Sequence, residues 1–146
     1  MPDHIDTLIC DAVRPEANGK LTLLGLLGEE VFVPQIPTQL ASLAFVQRWR
    51  PSAGEPAGRS FVVSFDIRVP GLPAPIAIPA QPAIVPPGVR PSMNFVIQMQ
   101  GFLVPQAGDY QLRTFVDGQL RFTHTFFIGL PPEAARNQLI GFNRPS

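Results

Sequence analysis

The side chains able to do chemistry are few. Cys10 is the only cysteine, and His4 and His124 are the only histidines. A thiol beside an imidazole is the start of a nucleophilic pair, but that pair needs a thiolate held in a polar pocket, commonly at a helix N-terminus. Cys10 stands instead in an alternating run, sharing a face with Leu8 and Ala12. The pattern predicts a small buried hydrophobe. A single cysteine also excludes an intrachain disulfide and a cysteine-based zinc site.

The carboxylates are no better placed for a metal. Asp109 and Asp117 fall at opposite ends of one expected strand, ~25 Å apart at the usual rise, and cannot share an ion. Asp3, Asp6 and Asp11, or Glu29 and Glu30, match no calcium-loop spacing. We therefore expect no metal, no cofactor and no catalytic set. Two charged groups remain. Asp11, Arg14, Glu16 and Lys20 crowd one turn, as either a local ion-pair set or a recognition patch. Arg48, Trp49 and Arg50 end a strand and carry residue types favoured at interfaces. These seven residues form the candidate interaction patch.

The elements that must position them read as strands. Ile5–Val13 alternates, a turn holding Pro15 and Asn18-Gly19 follows, and Lys20–Leu27 is apolar on both faces. A strand of that kind is central in a covered sheet or part of an oligomer interface, and the covered position is the expectation. Glu29–Val33 extends it past Gly28. Leu43–Trp49 is the next strand, and Ser60–Val69 has the cleanest alternation, with Phe61, Val63, Phe65, Ile67 and Val69 inward. Met93–Gln100 sends Met93, Phe95, Ile97 and Met99 inward. Between them, residues 70–91 are dense in proline, which cannot donate to a ladder; short pieces at Ile76–Ile78 and Ala83–Val85 suit a sheet edge on a long surface excursion.

Asp109–Ile128 reads as a hairpin around Asp117-Gly118. A two-residue loop would oppose Tyr110 and Leu112 to Thr125 and Thr123, setting an apolar face against a polar one. A three-residue loop, Val116-Asp117-Gly118, restores the match by pairing Thr114 with Leu120, Leu112 with Phe122 and Tyr110 with His124. We expect that loop, and with it a partly buried His124. Pro131-Pro132-Glu133 opens a short helix ending near Leu139–Ile140, followed by a loose tail at 142–146.

Seven or eight short strands with turns at sandwich spacing predict a single all-β domain over 1–146. The architecture is a two-sheet antiparallel β-sandwich, immunoglobulin-like or C2-like Greek key, with one short C-terminal helix. Gly108-Asp109-Tyr110 stands where such folds place a tyrosine corner.

Cys10-Asp11, Arg14, Glu16, Gly19-Lys20-Leu21, Leu23 and Gly25 fit the pattern C-D-x-x-R-x-E-x-x-G-K-L-x-L-x-G. This resembles the N-terminal signature of an uncharacterised bacterial domain-of-unknown-function family. The likeness extends through Val33-Pro34 to the Gly-Asp-Tyr and Asp-Gly hairpin, and it implies no activity, cofactor or catalytic residue.

Eleven acids balance eleven bases, so there is no basic field to hold nucleic acid or an anionic membrane. The N-terminus lacks the basic and apolar pattern of a secretory signal, and a cytoplasmic protein is the expectation. The functional expectation is a non-enzymatic interaction or assembly module, self-association included. A sandwich binding a small ligand, a sugar or metabolite, through loops at one end is the alternative.

Overall fold

The structure, a computed structural model, describes residues 3–17, 20–52 and 54–132. Among the described residues nine strands run in chain order: β1 (Asp3–Pro15), β2 (Leu21–Leu27), β3 (Glu30–Phe32), β4 (Thr38–Arg50), β5 (Ser60–Arg68), β6 (Ile76–Ile84), β7 (Met93–Val104), β8 (Gly108–Val116) and β9 (Gln119–Gly129). They make a four-stranded sheet, β2-β1-β4-β7, and a five-stranded sheet, β3-β9-β8-β5-β6. The all-β sandwich expected from the sequence is what forms. Every pair is antiparallel except the short β3–β9 ladder, which is parallel. The expected C-terminal helix opens at Pro131-Pro132, which are not helical, and its remainder, like the tail, falls on residues 133–146, outside the described residues.

Alternation builds the core between the sheets. Phe61, Val63, Phe65 and Ile67 of β5 and Met93, Phe95 and Ile97 of β7 are buried, as their period of two requires. Rings link the layers: Phe45 lies 5.4 Å from Phe126, Trp49 5.8 Å from Phe122 and Phe102 6.0 Å from Tyr110, none of them parallel-stacked. The Tyr110 hydroxyl donates to the Gln106 carbonyl at 2.7 Å, four residues upstream, which is the tyrosine-corner bond.

The hairpin register corrects the expectation. Val116 pairs with Gln119, so the loop is the two-residue Asp117-Gly118 turn, and Tyr110 faces Phe126 while His124 faces Leu112. Asp117 (φ 49°) and Gly118 (φ 79°) both take the positive angles that a type I′ turn demands. The face mismatch is cured further along. The register slips between Thr114 and Phe115, where Thr114 pairs with Phe122 and Phe115 with Leu120, leaving Arg121 as the extra residue of a bulge. Asp117 also clamps the neighbouring strand: its carboxylate accepts from the Val62 N–H at 2.9 Å and its own N–H donates to the Val62 carbonyl at 2.8 Å.

The proline-dense stretch is ordered as the edge strand β6, continuous through Pro79 and Pro82 and paired along β5. An outer strand leaves one side without ladder partners, so the missing proline N–H groups cost no hydrogen bond there.

Candidate interaction surface

The first hairpin, β1–β2, bends over its own sheet. β4 separates β1 from β7, yet the Val13 N–H reaches the Gln98 Oε1 of β7 at 3.4 Å. A β1 amide can meet a β7 side chain only by crossing a face of β4. The bend coincides with Asp11 and Gly25: Gly25 has φ +66°, and a Cβ there would overlap the Asp11 carboxylate. Glycine is required at that position both for the angle and for the space.

Bending closes a second, smaller core on the outer face of the four-stranded sheet. Cys10, Val13, Ala44 and Val46 are buried in it, with Leu8, Leu21, Leu23 and Val96 half-buried around them. Cys10 is buried there, as its alternation predicted. Burial pushes its thiol pKa up, the neighbouring Asp11 charge adds to that, and a hydrogen bond with the Ala12 backbone opposes it. At the margin of this core lies an open concavity of about 390 Å³, lined by Leu8, Leu21, Leu23 and Val46, with Lys20, Arg48 and Asn94.

The expected patch is therefore only partly brought together. Lys20 and Arg48 share this concavity. Arg14 and Glu16 form an exposed pair at 2.8 Å that also engages the Thr22 hydroxyl, which is turn structure. Asp11 serves the bend at Gly25. Arg50 belongs to a different concavity of about 400 Å³, formed by loops and shared with Glu55 and Arg90. Trp49 is fully buried, so it offers no surface to the patch in which the sequence placed it. Its strand sends Leu43, Phe45, Gln47 and Trp49 to the same inner face.

Gln47 went unnoticed in the sequence. It is fully buried with Thr114, and the two close the gap between the sheets: Gln47 Nε2 donates to Thr114 Oγ1 at 2.9 Å, and Thr114 Oγ1 donates to Gln47 Oε1 at 3.1 Å. Trp49 Nε1 donates to the same Oε1 at 3.2 Å. A glutamine on an otherwise apolar alternating face was the available signal. The network is fully buried and joins β4 to β8, so its role is to fix the two sheets against each other.

His124 is half-buried on β9, stacked on Phe126 at 6.4 Å, with Nε2 enclosed and without a hydrogen-bond partner. Desolvation lowers its pKa, and the charge of Glu29 works against that. No group of three histidine, cysteine, aspartate or glutamate side chains among the described residues could hold a metal ion. Among those residues no helix is long and apolar enough to cross a membrane.

β2 does not take the covered position expected of a two-sided apolar strand. It is an outer strand of its sheet, paired with β1 alone among the described strands. Leu21 and Leu23 of β2 serve the second core. Leu24 and Leu26 do not, and they are 48% and 64% exposed.

The model of a family of unknown function, DUF6941, matches residues 6–128. The chain belongs to the DUF6941 family. The matched span runs from β1 through nearly all of β9, so the bent hairpin, both cores and the outer strand β2 lie inside the DUF6941 domain. No functionally curated protein matches the chain. Solved structures similar to the DUF6941 domain include a β-glucosidase from Listeria innocua in complex with glucose, at TM-score 0.46 and 8% identity over 70% of this chain. Another is the Pseudomonas fluorescens alkylpurine DNA glycosylase AlkC bound to DNA containing an abasic site analog, at TM-score 0.43 and 12% identity over 84% of this chain. The chain spans 15% of the first protein's length and 30% of the second's. At these scores neither likeness bears on function.

Proposed function

We propose that this DUF6941 domain is a non-enzymatic protein-interaction module working through the β2 edge of the four-stranded sheet. The observation that carries this reading is the exposure of Leu24 and Leu26 on an outer strand whose far side has no partner among the described strands. Outer strands of natural sheets are normally blunted by proline, charge or a bulge, as β6 is by Pro79 and Pro82. β2 carries no charge and no proline between Leu21 and Leu27. A backbone edge flanked by leucines is a template for adding another strand. The test is the double substitution Leu24→Lys/Leu26→Lys, followed by sedimentation and by recovery of bound protein from the native host. Loss of association with an unchanged far-ultraviolet spectrum supports the reading. Association that survives the substitution refutes it.

A second reading is favoured by one feature. Arg50 and Arg90 line the same loop concavity, which suits a small anionic ligand such as a carboxylate or phosphate ester. Thermal-shift titration with a panel of such anions decides it, and the Arg50→Ala/Arg90→Ala variant must abolish any stabilisation seen.

A further inference from the structure

We infer that the concavity beneath the bent first hairpin binds an aliphatic monocarboxylate, with the hydrocarbon chain between hairpin and sheet and the carboxylate at the mouth. The site lies apart from the β2 edge and does not depend on it.

The strand register builds the floor. Val46 and Arg48 stand two residues apart on β4 and so share one face of the four-stranded sheet, the outer face that carries the second core. Val46 pairs with Leu8 of β1 on one side and with Val96 of β7 on the other. Arg48 pairs with Asp6 and Asn94. An apolar row is thus followed directly by a polar one. The hairpin supplies the roof, because its bend lays the start of β2 over this face. Leu21 and Leu23 pack there on the same small core as Leu8 and Val46, and Lys20 precedes them. Roof and floor do not close on each other along their whole length. Leu8, Leu21 and Leu23 stay half-buried, and the space of about 390 Å³ that they line with Val46 is bordered by Lys20, Arg48 and Asn94. Small-ligand sites typically span about 300–1,000 Å³. Leucine and valine left facing water in such a cleft favour a hydrocarbon chain over solvent.

Charge selects the head group. Arg48 stands 3.8 Å from Asp6, too far for a hydrogen bond, and half of its side chain is exposed, so its guanidinium keeps donors for a ligand. Lys20 is exposed. Two cations against the one carboxylate of Asp6 leave the mouth with a single positive charge, which matches a monoanion better than a phosphate dianion. Arg14 and Glu16 of the same hairpin neutralise each other at 2.8 Å. The planar guanidinium fork fits a carboxylate through two parallel hydrogen bonds, and the Asn94 amide beside it in the register adds another donor.

NMR titration of the full chain with hexanoate, octanoate and decanoate, each below its micellar concentration, tests the inference. Affinity rises about fourfold with each added methylene until the cleft is filled. Octylamine, the same chain with the opposite charge, binds more weakly than octanoate. Lys20→Glu lowers octanoate affinity about tenfold and raises that of octylamine, an exchange that a misfolded variant would not produce. Isotope-filtered spectra show nuclear Overhauser contacts from the octanoate methylenes to the methyl groups of Leu8, Leu21, Leu23 and Val46. No shift changes up to the solubility limit of decanoate, an affinity indifferent to chain length, or octylamine bound as tightly as octanoate overturns the inference. Contacts confined to other side chains, or a Lys20→Glu variant with unchanged preference, overturn this cleft as the site.

Discussion

Thr114→Val isolates the hydrogen bonding between the sheets. Valine keeps the branched shape and removes one oxygen, so packing around residue 114 is nearly unchanged. The Thr114 hydroxyl both accepts from Gln47 Nε2 and donates to Gln47 Oε1. After substitution Nε2 loses the acceptor it has in the native core, and Gln47 has no exposed surface through which water could replace it. A buried polar group left unsatisfied costs about 1–3 kcal/mol. For a chain of this size each 1 kcal/mol lowers the melting temperature by roughly 2–4 °C. Urea unfolding followed by circular dichroism reads the cost as a lower midpoint at unchanged slope. The companion Gln47→Leu also destabilises, and the double variant destabilises by less than the sum, because it removes donor and acceptor together. Additive single and double variants, or a Thr114→Val cost below about 0.5 kcal/mol, the size of an ordinary surface change, refute the argument.

Three other outcomes follow from the geometry. Tyr110→Phe removes the hydroxyl bond to the Gln106 carbonyl and lowers stability by about 0.5–1.5 kcal/mol, read from the denaturant midpoint. Gly118→Ala has open space for its methyl group, so its cost of about 1–2 kcal/mol at φ +79° is backbone strain alone; an unchanged melting temperature would contradict the type I′ turn. Desolvation holds the His124 pKa below its unfolded value, so the native state resists protonation; stability is lost as pH falls from about 6.5 towards the lower native pKa. Unfolding midpoints at pH 7.5 and pH 5 should therefore differ more for the wild type than for His124→Gln.

The strands and their buried faces were legible because alternation is a local property: Phe61 to Ile67 state their own orientation. The hairpin shows where that logic ends. Matching faces requires one extra residue somewhere between Tyr110 and Phe126. Parity alone does not distinguish a residue added to the loop from one added to the ladder at Arg121. Positive angles at both Asp117 and Gly118 decide for the ladder, and these are properties of the folded chain. The position of β2 was illegible for a similar reason. Its leucines serve two different surroundings, a small core under the bent hairpin and the outside of the sheet, and the sequence shows them as a single apolar run. The charged patch misled because Trp49 alternates inward between Arg48 and Arg50, and those two, though on one face, border separate concavities.

The bent first hairpin turns Cys10 into a built-in clock. Its thiol is the only one in the chain, and it lies beneath a flap whose lifting need not melt the main core. Reagent reaches it when that flap is raised or when the whole sandwich unfolds, so the labelling rate counts both kinds of opening under native conditions. Compared with the rate expected from global unfolding, it separates a local breath of the hairpin from collapse of the whole sandwich, with no probe added to the protein.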